Sequence, residues 1–386
     1  MSLSRLICVA CIAIAAVALD AAAEDNCVAT GAWAVPVEAT AKPISADHLF
    51  AQLSRRRVVL LGEVHDNADH HRWQLHTLAG LYALHPRLII ALEMFPHRLQ
   101  SVLDQWVTGQ LTEEQFLARS EWRTVWGHDA GLYMPIFQFA RMHRVPMIAL
   151  NVDRNLARKV GEQGWAAIAP REREGVTDPA PAPSAYADML YESYRQHGQE
   201  SKDRSDPAFR HFVDTMLLWD RTMAQGIAEA AARSPDAIVV GLMGLGHLEN
   251  RDGVPRQLAE LGFKDAAVLL PWDRGQACAE LSAQLADALF GTESQASPER
   301  PRLGVMLEQT EQGVRIAKLT EGSIGESAGL KQQDVIETIA GERVSSVDDV
   351  IAAVTRQAPG TWLPISIRRA GQQLDIVARF PPRDPR

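Results

Sequence analysis

Val58-Val59-Leu60-Leu61-Gly62-Glu63-Val64-His65 is a β-branched and leucine-rich run that closes on a glycine, a carboxylate and an imidazole. Ile238-Val239-Val240-Gly241-Leu242-Met243-Gly244-Leu245-Gly246-His247 follows the same plan far along the chain. Short apolar runs without polar alternation read as strands buried on both faces, the condition of a parallel sheet covered by helices. In open parallel sheets ligands gather at the carboxyl ends of the strands. The two Gly-x-x-His tetrapeptides therefore place two imidazoles and a carboxylate on one rim, where metal or acid–base chemistry would sit.

Working outward, residues 57–61, 88–92, 146–150, 237–243 and 266–270 read as strands, and amphipathic stretches at 67–84, 132–143 and 206–233 read as helices. Asp206-Pro207 supplies a cap and first turn for the last of these. The alternation predicts an α/β fold: a layered, mostly parallel sheet flanked by helices. Four of the strands end in polar residues: Glu63 with His65, then Glu93, Asn151 and His247. If extended backbone continues past Glu63, that residue and His65 point the same way and share an ion. Imidazole and carboxylate suit zinc, manganese or iron, and an open coordination position would activate water. Asp66, Asn67 and Asp153 read instead as helix caps. His70, His71 and His76 lie on a helix with Asp69 and Arg72 and are expected to be solvated. Trp219-Asp220-Arg221 braces the site or binds an anion, with an ordinary helix-face ion pair as the alternative.

The chain of 386 residues, 46% hydrophobic and 23% charged, has length for one large and one small domain. A net charge of -9 without a basic stripe argues against nucleic acid as a partner. Arg5, an apolar stretch over 6–19 and Ala21-Ala22-Ala23 form the pattern of an export signal cut after Ala23. The expected location is the periplasm; retention of the same stretch as an anchor, which would keep the protein at the membrane, is the alternative. Cleavage leaves Cys27 and Cys278, which either pair in an oxidising compartment or stay as thiols. A proline-rich start at Ala180 opens an insertion up to Ser205, read as a surface excursion or a helical lid. Ser, Thr, Gln, Glu and Pro crowd together over 291–301, an interdomain linker, and the remainder suits a compact β-rich module with one good helix at 348–355.

Leu61-Gly-Glu-Val-His-Asp-Asn67, Ala91-Leu-Glu-Met-Phe95, Ala149-Leu-Asn151, Trp219-Asp-Arg221 and Met243-Gly-Leu-Gly-His247 together resemble the ordered motifs of ChaN-type proteins of the haem-binding uptake and Tiki superfamily. The resemblance spans 58–273. It implies haem binding and iron acquisition on one side and metal-dependent proteolysis on the other, with erythromycin-esterase-like enzymes as relatives. Carried over by motif, it implies Glu63, His65, Glu93 and His247 as metal or active-site positions and Arg221 as an accessory residue. It also implies a tyrosine as haem ligand, for which Tyr133 is the candidate and Tyr186, Tyr191 and Tyr194 are competitors. Unlike lipoprotein relatives, the chain has no usable lipobox.

Residues 302–380 resemble a PDZ domain of the type attached to bacterial envelope proteases. Arg302-Leu303-Gly304-Val305 matches the carboxylate-binding loop, and Glu326-Ser-Ala-Gly-Leu-Lys-Gln-Gln-Asp-Val-Ile336 matches a stretch that usually ends in Gly-Asp-Val-Ile, with Gln333 replacing the glycine. Such a module adds a peptide strand to its sheet edge and captures a terminal carboxylate on backbone amides. A spacer or dimerisation role is the alternative.

The sequence thus divides into a signal over 1–23, a ChaN-like domain over 24–290, a linker over 291–301 and a PDZ domain over 302–380. The leading expectation is an exported haem- or iron-binding protein that docks protein C-termini or peptides, with a homodimer left open. The alternative is a metal-dependent hydrolase, peptidase or esterase, acting on a small molecule or peptide with Glu63 or Glu93 as general base. The expected cofactor is haem or a divalent metal ion.

Overall fold

The computed structural model describes residues 27–196, 203–293 and 301–382. The signal and most of the linker lie outside the described residues. The chain divides into two compact units, 1–296 and 297–386.

The first unit is built on eight strands: β1 (Trp33–Val37), β2 (Thr40–Ile44), β3 (Val58–Glu63), β4 (Leu88–Pro96), β5 (Met147–Asn151), β6 (Ile238–Gly244), β7 (Ala267–Asp273) and β8 (Ala288–Thr292). Their order in the sheet is β2-β1-β8-β7-β3-β6-β4-β5. The six strands from β8 to β5 run parallel, and β1 and β2 close one edge antiparallel.

Every residue of β3 and β6 is buried, because both faces are covered. Val59, Leu61, Val240 and Leu242 pack with Trp73, Leu78 and Phe137 from the Ala68–Leu84 and Ala130–His143 helices. Val58, Leu60, Val239 and Met243 pack with Met223, Ala224 and Ile227 of the Pro207–Arg233 helix. Side chains alternate in direction but not in polarity, since neither direction leads to water. Asn67, Asp153 and Asp206 cap the helices that follow them, each side chain accepting from backbone N–H groups of the first turn.

Three strands of this unit, β1, β2 and β8, escaped the sequence reading. β2 contains Lys42 and Pro43 and is mostly exposed, while β8 runs through Gly291 and Thr292, into the stretch read as linker. Cys27 and Cys278 form a disulfide, with Cα atoms 5.7 Å apart across 251 residues of sequence. The insertion carries a helix, Ser184–Gln196, whose Tyr186, Leu190 and Tyr194 pack on Phe209 and Leu217. Among the described residues no helix is long and apolar enough to cross a membrane.

The second unit is an antiparallel sheet of β9 (Val305–Thr310), β10 (Gly313–Leu319), β11 (Val335–Ile339), β12 (Glu342–Arg343), β13 (Trp362–Arg369) and β14 (Gln372–Arg379). Its core gathers Val314, Ile316, Ile336, Val350, Ile365 and Ile367 beside the Val347–Thr355 helix. The turn that lacks the customary glycine is built with Gln333 at φ +76°, and its N–H still donates to the Ile316 carbonyl at 2.9 Å.

Candidate functional site

The buried titratable groups of the first unit meet at the carboxyl ends of β3, β4 and β6 in two clusters. In the first, the Glu63 carboxylate is 1% exposed. Its Oε1 lies 2.9 Å from His65 Nδ1 and accepts the Tyr133 hydroxyl at 2.8 Å, while Oε2 lies 3.1 Å from His71 Nδ1. Burial alone would raise its pKa, but the hydrogen bond from His65 and the adjacent His71 ring carry it well below the ordinary carboxylate value. The same contacts raise His65 and His71 against burial, which pushes them down. A carboxylate offers no proton, so His65 Nδ1 is the donor to Glu63.

In the second cluster His247, on the turn after β6, places Nδ1 2.7 Å from Asp220 Oδ1 and Nε2 3.5 Å from Glu93 Oε1. Asp220 is fully buried within the Pro207–Arg233 helix, and its Oδ2 accepts the Tyr186 hydroxyl at 2.7 Å. Glu93 Oε2 accepts the Gly244 N–H at 2.7 Å. Burial would depress His247, but Asp220 and then Glu93 overcome it and raise its pKa to about 10. At neutral pH this ring carries both protons.

The clusters touch at Gly244. A Cβ there would stand 3.0 Å from His65 Cε1, 3.3 Å from His65 Nε2 and 3.7 Å from His247 Cδ2, so only a hydrogen fits between the rings without displacing one. His65, Glu93 and His247 open onto one cavity of about 550 Å³, walled by Trp126, His128 and Trp219 and rimmed by Arg98 and Arg154. The Trp126 ring meets His65 edge-on at 4.7 Å. A larger hollow of about 800 Å³ beside Arg55, Arg56, Arg57 and Lys264 contains none of these groups, so the chemistry belongs to the smaller one.

Several expectations are corrected by this geometry. Glu63 does not face an ion together with His65. β3 ends at Glu63, the chain turns as Asn67 N–H donates to the Val64 carbonyl, and His65 folds back so that Glu63 lies behind it. Among the described residues no group of three or more His, Cys, Asp or Glu is arranged to hold a metal ion, so the expected Glu63, His65, Glu93 and His247 ligand set is not assembled. Arg221 turns away, giving both Nε and Nη2 to Thr177 Oγ1 at 2.9 and 2.7 Å. Tyr133 is fully buried, with its hydroxyl committed to Glu63. His70 and His71 are buried rather than solvated, and His70 accepts the Val64 N–H and pairs with Asp273 at 3.0 Å. His76 is exposed as expected. His71, Trp126 and His128 were not assigned to the site from sequence, whereas Asp220 was offered within Trp219-Asp220-Arg221 as a brace and Tyr186 as a competing haem ligand, and both are found holding His247, Tyr186 through Asp220.

In the second unit Leu303 is a core residue, 3% exposed, so it serves the loop through its backbone. The Leu303 carbonyl accepts from Gly325 N–H at 2.7 Å and the Gly304 carbonyl from Thr320 N–H at 2.8 Å. In trans peptides the next N–H points opposite each carbonyl, so the amides of Gly304 and Val305 face away from those partners. Gly304 has φ +70°, and a Cβ there would meet that of Ser323 at 2.3 Å. Arg302 is exposed. Among the described residues β9 pairs only with β10, leaving its other edge open, and Met306 and Ile351 are exposed apolar residues on β9 and the Val347–Thr355 helix.

A family model described as haem-binding uptake, Tiki superfamily, ChaN matches residues 49–258. The chain belongs to this family. A PDZ domain model matches residues 301–378. The ChaN-family unit is similar in fold to a solved structure described as cofacial heme binding to ChaN of Campylobacter jejuni, at 17% identity and a TM-score of 0.53, covering 68% of this chain and 98% of that one. Two curated proteins described as probable periplasmic serine endoprotease DegP-like, from Chlamydia trachomatis and Chlamydia muridarum, are each 33% identical over 75 residues, 19% of this chain. The chain spans only 15% of their length.

Proposed function

We propose that the protein binds haem in the rim cavity of its ChaN-family unit and works in the cell envelope, where its PDZ unit docks the C-terminal segment of another protein. The observation that carries the haem reading is the cavity itself. Its volume of about 550 Å³ falls within the range of small-ligand pockets, and it combines two indole walls, an imidazole held by a buried carboxylate, and arginines at the rim. An iron porphyrin is planar and largely apolar, with two carboxylates at one edge, and it would supply an iron that takes an axial ligand from the protein. Trp126 and Trp219 suit its faces and Arg154 suits a carboxylate, while Arg98 is held by Glu121 and Asp153; with an imidazole for the iron, the chemistry of the residues present fits the group.

The paired Cys27 and Cys278 support an oxidising compartment. The outward amides of Gly304 and Val305, with the open edge of β9, support capture of a terminal carboxylate and an added strand. Titrating the disulfide-bonded chain with hemin tests the central reading. A saturable Soret band distinct from that of free hemin is expected, and its absence contradicts the proposal.

A hydrolase is the second reading, favoured by Asp220–His247–Glu93. A charged imidazole between two buried carboxylates can hand a proton to a leaving group. That reading requires peptide or ester turnover lost on His247→Ala, whereas the haem reading requires none.

A further inference from the structure

We infer that haem iron in this cavity is held by Nε2 of His65 rather than by a tyrosine phenolate. The inference rests on the haem reading above and specifies the ligand within it.

The chain has five tyrosines, and none lines the cavity. Tyr82 packs on Phe139 and His143. Tyr191 and Tyr194 surround Phe209 under the insertion helix. Tyr186 is 1% exposed and gives its hydroxyl to Asp220. Tyr133 comes nearest, but its ring is fully buried and its hydroxyl donates to Glu63. A phenolate there would lose the proton it gives to Glu63 and set two anionic oxygens at hydrogen-bond distance. The ligand type implied by family resemblance is therefore spent on holding Glu63 in place.

Three imidazoles remain in the cavity: His65, His128 and His247. Both nitrogens of His247 lie against carboxylates, which keep both protons on the ring and leave no lone pair for iron. His65 differs in having one committed nitrogen. Nδ1–H donates to Glu63, which is fixed in turn by Tyr133 and His71, so Nε2 is the nitrogen left for coordination. A metal-binding histidine commonly donates its second N–H to a carboxylate or carbonyl, which fixes the ring and raises its basicity. The side chain is 32% exposed, and Trp126 packs against it edge-on, so the ring is both accessible and held. His128 has its ring 5.1 Å from that of His65 and borders the same space, which makes it the control. On coordination the Nε2 lone pair forms the iron–nitrogen bond, the water or hydroxide that hemin carries in solution is released, any proton on Nε2 passes to it or to bulk water, and no electron is transferred.

The test is hemin titration of the disulfide-bonded chain and of its His65→Ala, His128→Ala and Tyr133→Phe variants, read by Soret absorbance and electron paramagnetic resonance. The wild type is expected to show nitrogen-ligated ferric haem, and His128→Ala and Tyr133→Phe, which alter the cavity wall and a support of Glu63, are expected to lose affinity while keeping that nitrogen-ligand signature. His65→Ala is expected to lose that signature and at least tenfold in affinity, and added imidazole should restore the spectrum, which separates ligand loss from misfolding. An unchanged spectrum and affinity in His65→Ala, or a tyrosinate spectrum in the wild type abolished by Tyr133→Phe, overturns the assignment while leaving haem binding intact. A wild type that binds no hemin overturns both.

Discussion

Replacing Asp220 with Asn leaves the shape of the His247 pocket almost unchanged and removes one of the two charges that hold its imidazolium. Asp220 and the Glu93–His247 pair are buried, so little solvent screens the loss. Taking away one partner of a buried ion pair typically costs roughly 3–5 kcal/mol. The pH dependence has a definite sign. His247 is raised from 6.5 to about 10, so its contribution is fully present below 6.5 and is lost as pH rises through about 10. At one pKa unit per about 1.4 kcal/mol, that contribution is also of the order of a few kcal/mol. Urea unfolding followed by tryptophan fluorescence reports mainly the first unit, since Trp362 alone of the nine tryptophans lies in the second. The wild type should lose stability between pH 7 and pH 10. Asp220→Asn should start roughly 3–5 kcal/mol lower at pH 7 and decline less steeply. A variant within about 1 kcal/mol of the wild type with the same pH slope would show that Asp220 does not hold the His247 imidazolium, because a change that small is typical of surface positions.

Gly244→Ala puts a methyl 3.0 Å from His65 Cε1, forcing the ring aside, and should weaken hemin affinity at least tenfold with circular dichroism unchanged; full affinity would mean that the position of the His65 ring beside Gly244 is irrelevant to binding. Gln333→Gly relieves a left-handed residue at φ +76° and should stabilise the second unit by about 1 kcal/mol, seen as roughly fivefold slower exchange of the Ile316 amide. Faster exchange would show that the Gln333 side chain matters more than its backbone. Replacing Cys27 and Cys278 with Ser opens a 251-residue separation and should cost about 2–5 kcal/mol in chemical denaturation, a loss that reductant reproduces in the wild type. Equal stability with and without the bridge would contradict this.

The parts of the fold legible in the sequence are those where burial acts on every residue of a segment. β3 and β6 are covered on both faces, so their apolar runs needed no alternation to be recognised, and the rim at their carboxyl ends followed. β2 was not legible because an edge strand tolerates Lys42 and Pro43, and β8 because Leu289 and Phe290 sit beside linker-like sequence. At the site, His65, Glu93 and His247 were legible as strand-end residues, but the direction of Glu63 was not. Alternation governs side chains only while the strand lasts, and β3 stops at Glu63. The choice between Asp220 and Arg221 was equally hidden. Neighbours on a helix point about 100° apart, so packing of that helix alone sets Asp220 on His247 and Arg221 on Thr177. His70 and His71 read as solvated because their helix is polar in composition, yet its first turn lies over the strand ends.

The central claim is that haem occupies the cavity shared by His65, Glu93 and His247. A crystal structure of the hemin complex, with the anomalous difference map recorded at the iron edge, tests it most directly. One strong iron peak is expected within bonding distance of His65 Nε2, with the porphyrin between Trp126 and Trp219. An iron peak elsewhere on the molecule, or a cavity left without iron at saturating hemin, would contradict it.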